Sequence, residues 1–168
     1  FTQVIGSLLA VVFEAADLAL DPGVTRILVA LLNFMQGKES SGQERACGVT
    51  GFTAGCFTDT QEARMLGLAA NQRRSFDTYA HYAEGAALQC WAELQQQDPP
   101  LQRMRDMAQR TDSAQPVDST LAELWFNLST ARIDAMREIE SLLAEALAQQ
   151  CNRCLLYTSD AADEGLGV

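Results

Sequence analysis

The 168-residue chain is poor in the residues that most chemistry needs: one histidine, His81, one lysine, Lys38, four prolines and 7% aromatics. One histidine excludes the paired Glu-x-x-His ligands of a helical di-iron centre. The nearest pattern, "HYAE" at His81 to Glu84, runs in the opposite order, and a lone histidine reads as a surface or packed residue. No hydrolase elbow, phosphate loop or metal-ligand cluster occurs, so an enzyme is not expected and no cofactor is called for. Of five cysteines, Cys151 and Cys154 form a C-x-x-C with no second pair, too little for zinc or redox chemistry. Cys47, Cys56 and Cys90 read as small core or helix-contact residues. Met35, Met65, Met104 and Met136 fall at helical positions and read as core.

Positive charge is scarce as well. Twelve basic against twenty-two acidic residues leave a net charge of −10, which argues against direct binding of nucleic acid by this segment. Yet eleven of the twelve cations are arginine, the side chain suited to planar, bidentate recognition of a small oxyanion.

What is abundant is helix-forming sequence. The composition is 48% hydrophobic, with long stretches of Ala, Leu, Gln and Glu, and the length suits one domain with a real core. Together these predict an all-α, long-helix bundle. The tail is set apart: "CLLYTSDAADE", residues 154 to 164, resembles the translated end of a transposon adapter used in sequencing libraries. Residues 154–168 therefore read as an adapter-derived scar and 1–153 as the domain. Removing that tail takes away Asp160, Asp163 and Glu164 and no cation, which brings −10 to −7 and leaves the chain acidic. With Phe1 in place of a starting Met, the domain reads as an incomplete fragment of a larger helical domain.

Residues 1–20 are apolar nearly all round and long enough for a membrane span, but Gln3, Glu14 and Asp17 favour a buried bundle helix. Asp21 before Pro22 predicts an N-cap with proline in the first turn, starting a helix to about Phe57. Thr58 and Gln61 suit a capping box for a helix extending to about Gln96, where "DPP" interrupts. A short helix is expected near residues 100–110 and a loop at "TDSAQPVDS". Thr120 with Glu123 could then cap a final helix to about Asn152.

Helical spacing says where the arginines point. In the final helix the stripe Leu121, Leu124, Trp125, Leu128, Arg132, Met136, Ile139 and Leu143 places Arg132 where an apolar residue belongs. The stripe Leu28, Leu31, Met35, Gly42 and Val49 puts Arg45 on or beside the inner face of the earlier helix. A buried guanidinium needs an anionic or acceptor-rich partner. That partner is either a ligand or an internal acid such as Glu39, Glu44, Asp134 or Glu138. Around Arg45, Gly37, Ser40, Ser41, Gly42, Gly48, Gly51 and Gly55 each weaken the helix, by roughly 1 kcal/mol per glycine. Close helix approach or ligand access would offset that cost.

"DPGVTRILVALLNFMQGKESSGQERACGVTGFTAGCF" resembles the nitrate- and nitrite-sensing (NIT) domain, in the form joined to ANTAR RNA-binding domains in bacterial transcription antiterminators. "WFNLSTARIDAMREIESLLAEAL" is similar to the closing helix of the same family. The resemblance spans nearly all of residues 1–153, with "QGKE" and "GQERA" its most distinctive elements. It implies an all-helical sensor in which arginines hold nitrate or nitrite and a long C-terminal helix relays the change. Carried over residue by residue, the ligand-binding positions are Arg45 of "QERA", then Arg132 of "TARID", then Arg105 of "QRMR". It further implies a homodimer, a downstream output domain outside this chain and a cytoplasmic location, or a periplasmic one if the parent is a membrane receptor. The rival reading is a helical dimerisation or interaction module whose arginines form only structural ion pairs.

Overall fold

The computed structural model describes residues 21–109 and 118–164, with side chains described to Cys154. Five helices follow one another: α1 (Pro22–Ala54), α2 (Asp59–Tyr82), α3 (Gly85–Gln96), α4 (Pro99–Gln109) and α5 (Leu121–Glu164). The architecture is the all-α bundle that composition predicts, and the described residues contain no strand. The helix expected over residues 1–20, and most of the expected "TDSAQPVDS" loop, lie outside the described residues. So do the side chains of the tail read as a scar beyond Cys154.

Local chemistry sets the helix ends. Asp21 Oδ1 accepts from the Val24 amide at 2.8 Å and Pro22 opens α1, as the N-cap pattern predicts. The helix stops at Gly55, whose φ of 73° is left-handed and whose amide donates to Phe52 at 3.1 Å. Thr58 and Gln61 form the expected reciprocal capping box.

Three expectations are corrected. The single helix predicted over 58–96 is two helices, because Ala83 and Glu84 are extended and Gly85, at φ 61°, takes the left-handed turn that starts α3. Tyr79 Oη donates to the Ala87 carbonyl at 2.8 Å across this corner. The last helix runs beyond Asn152 to Glu164. Its start is built on Asp118, whose Oδ1 accepts from the Thr120 amide at 2.9 Å, rather than on a Thr120 cap.

α1 is the central element and packs most extensively against α2 and α5. Two apolar cores form along it. One gathers Phe34, Phe76, Tyr79, Trp91, Met136, Ile139 and Leu143, with the Phe76 and Trp91 ring centroids 4.3 Å apart. The other gathers Cys47, Phe52, Phe57, Met65, Leu101, Met104 and Trp125. Leu124 and Cys56, read as inward from spacing and residue type, are exposed.

The glycines of α1 have distinct roles. A Cβ on Gly48 would stand 2.3 Å from the Trp125 ring and one on Gly51 2.2 Å from Phe57, so close approach of aromatic rings requires them. Gly42 is different: a Cβ there would meet nothing within 4 Å.

Candidate anion-binding site

Between the two cores lies a polar belt. On α1 it comprises Ser41 and Glu44, on α2 Gln72, on α5 Ser129, all buried. Glu44, not Arg45, therefore occupies the inner face of α1; the aromatic residues Phe34 and Phe52 and the small residues Gly37, Ser41 and Gly48 set that face. Arg45 lies beside it, half-buried.

Glu44 is claimed by α4. Arg105 Nε and Nη2 each donate to one of its carboxylate oxygens at 2.7 Å, a bidentate pair. Gln72 Nε2 donates to Glu44 Oε2 at 2.8 Å and its Oε1 accepts from Arg105 Nη2 at 3.3 Å. Burial works against a charged Arg105, but the Glu44 hydrogen bonds and charge outweigh it and raise its pKa.

Arg132 points inward, as its place in the α5 stripe predicts, and its side chain is only 9% exposed. Its Nη1 pairs with Asp98 Oδ1, at the corner between α3 and α4, and not with Asp134 or Glu138. The guanidinium lies 5.4 Å over the Trp91 ring. Burial lowers its pKa, an effect that Asp98 opposes and the neighbouring Arg105 charge reinforces. Arg105 and Arg132 line a common cleft of about 480 Å³ with Arg73, Gln72 and Trp91.

Arg45 stands apart from that pair. Its Nη1 donates to Thr130 Oγ1 of α5 at 2.9 Å and its guanidinium lies 5.3 Å over the Phe126 ring. It has no carboxylate partner among the described residues. Its backbone carbonyl accepts from Trp125 Nε1 at 2.9 Å, which fixes α1 to α5 at this turn. Arg45 lines a separate cleft of about 560 Å³ with Lys38, Gly42 and Arg64, and with the carboxylates Glu39 and Glu140. Lys38 is paired with Glu140 across the same gap.

Of the three arginines read from sequence, then, Arg105 and Arg132 come together and Arg45 does not join them. Residues missed as site components are Asp98, Gln72, Arg64 and Thr130. Only Asp98 carried a signal, as the acid of "DPP". Among the described residues no group of His, Cys, Asp or Glu could hold a metal ion, and no helix is long and apolar enough to cross a membrane.

The family model for nitrate and nitrite sensing matches residues 1–148. The nitrate regulatory protein of Klebsiella oxytoca is 33% identical over 144 residues, covering 85% of this chain and 36% of that protein. The solved structure of the NasR transcription antiterminator superposes with a TM-score of 0.78 at 31% identity, covering 93% of this chain and 42% of that one. The chain thus spans less than half the length of either relative. These likenesses and the helical bundle define a regulatory sensor domain and not an enzyme. The chain belongs to the nitrate and nitrite sensing family.

Proposed function

We propose that the domain binds nitrate or nitrite in the cleft between α1 and α5, with Arg45 as its principal ligand. The observation that carries this reading is that Arg45 alone of the three candidate arginines has no carboxylate partner among the described residues, while Arg64 lines the same cleft and Lys38, paired there with Glu140, keeps that carboxylate occupied. A guanidinium without a counter-ion has donors to offer, and its planar fork suits a planar anion better than chloride. Gly42 leaves space beside it. Thr130, which accepts from Arg45, keeps its own hydroxyl proton as a further donor on α5.

Bound anion would join α1 to α5 through these groups. It would thereby favour one of two bundle states and shift the register or rotation of α5, the route to an output domain. Arg105 and Arg132 enter as the charge network beside it, since Glu44, which holds Arg105, adjoins Arg45 in sequence. A graded response needs a coupling of about 1–3 kcal/mol, within reach of a few charge-assisted hydrogen bonds. By likeness to the NasR antiterminator, the output we propose is transcription antitermination in the cytoplasm by a homodimer, with RNA bound by another domain.

Thermal unfolding of the chain in nitrate, nitrite and chloride at matched ionic strength tests the reading. A midpoint that rises in nitrate or nitrite, in proportion to RT ln(1 + [L]/Kd), and no longer does so in Arg45→Ala is the expected result. Arg45→Lys should behave more like alanine than like arginine. Equal midpoints in all three salts from a cooperatively folded sample would favour the interaction-module reading.

A further inference from the structure

On the reading of the Arg45 cleft as the anion site, on which this step rests, we infer that Glu140 of α5, held there by Lys38 of α1, is a selectivity residue. It keeps the lining of the cleft at a single positive charge and so excludes doubly charged oxyanions.

The charged side chains that line the cleft are Lys38, Arg45 and Arg64 against Glu39 and Glu140, three cations and two carboxylates, which leaves +1. A singly charged anion brings that lining to neutrality. A doubly charged one leaves a negative charge unanswered in a half-buried place, where it is costly. The net charge of −10 on the chain adds a repulsion that grows with the charge of the ligand. Size cannot make the distinction, because about 560 Å³ is far more room than either nitrate or sulfate needs.

The two carboxylates differ in what they hold. Glu39 accepts from Gln43 Nε2 at 3.0 Å, a neutral neighbour one turn along α1. Glu140 reaches across from α5 and pairs with Lys38, the side chains being 29% and 18% exposed. That pair occupies the only lysine of the chain, a compact point charge that attracts anions without regard to shape. Lys38 stands two turns before Arg45 on α1, about 10 Å along the axis, so Glu140 acts on a ligand at Arg45 through space. The labour is divided: the Arg45 fork reads the shape of the anion, and the Lys38–Glu140 pair fixes its charge.

The test titrates the full 168-residue chain calorimetrically with sodium nitrate and with sodium sulfate at matched ionic strength. Both anions keep their shapes in every variant, so a change in their affinity ratio reports charge. Glu140→Gln raises the lining to +2 and should shift the ratio toward sulfate by about fivefold or more. Adding Lys38→Met returns the lining to +1 and should restore the original ratio. Adding Arg45→Ala to Glu140→Gln should abolish the sulfate gain, which places that gain in the cleft.

An unchanged ratio in Glu140→Gln overturns the proposal, as does a gain that survives Lys38→Met or Arg45→Ala. If the unsubstituted chain binds no nitrate, the reading of the cleft as the nitrate site fails. Sulfate binding that then appears with Glu140→Gln and disappears with Lys38→Met still supports charge setting by Glu140, and its absence overturns that as well. Should Glu140→Gln not fold, Glu39→Gln makes the same change of charge with the Lys38 pair intact. It should move the ratio toward sulfate by about twofold or more, and no movement overturns the proposal.

Discussion

Arg45 and the Arg105–Arg132 pair sit on the same bundle, are all at least half-buried, and differ chiefly in counter-ion. Arg105 is gripped by Glu44 and Arg132 by Asp98, so their charge is answered inside the protein. Arg45 meets a hydroxyl and an aromatic face instead. Depth of burial therefore does not separate the three arginines; the acid beside two of them does, which is why we propose Arg45 as the one that receives a ligand. In this bundle the deepest guanidinium groups lie in a belt between two apolar cores, where a bidentate pair and a buried amide are needed to make a charged layer tolerable.

The largest effect should come from the neutralised side. Glu44→Ala leaves Arg105 and Gln72 without their shared acceptor and should cost about 3–5 kcal/mol in urea unfolding, since it strands a buried charge. A loss below about 1 kcal/mol would mean that Arg105 escapes to water, and would erase the contrast with Arg45. Next comes the packing that fixes the Arg45 turn: Gly48→Ala forces a methyl against Trp125 and should cost about 1–3 kcal/mol. Gly42→Ala meets open space and should instead add up to about 1 kcal/mol. Stability measurements on the two variants side by side decide whether these glycines differ as described.

Arg45→Ala should change stability by less than about 1 kcal/mol, because no buried partner is stranded. A loss as large as that of Glu44→Ala would move Arg45 to the structural class. The smallest effect is one of pH. Asp98 is raised above 3.8 by burial, so the folded protein takes up its proton before the unfolded chain does. Its contribution to stability therefore increases as pH falls through the folded pKa and levels off below the unfolded one. Asp98→Asn should lack that increment, and subtracting the two stability–pH curves measures it.

Much of this organisation is legible in the sequence. Asp21–Pro22 and the Thr58–Gln61 box mark their helix starts because capping is local chemistry, and the α5 stripe turns Arg132 inward because a straight helix keeps its phase. The corner at Ala83–Glu84 is not legible, since Gly85 inside a helical pattern is compatible with either continuation or a left-handed turn. On α1 the spacing leaves Arg45 on or beside the inner face, and it lies beside; that Glu44 takes the centre is not legible, because the close contacts there are made by small residues with no hydrophobic signal. Partners across helices are the least accessible. Nothing in the spacing of "DPP" announces that Asp98 meets an arginine 34 residues later.

The two tryptophans have a consequence for observation. Trp91 lies beneath Arg132, and Trp125 donates its indole N–H to the backbone of Arg45. Each arginine environment thus carries its own natural fluorophore, in separate cores and with different hydrogen bonding. With Trp91→Phe or Trp125→Phe, emission from the remaining indole would give a spectroscopic readout of events at one arginine undisturbed by those at the other.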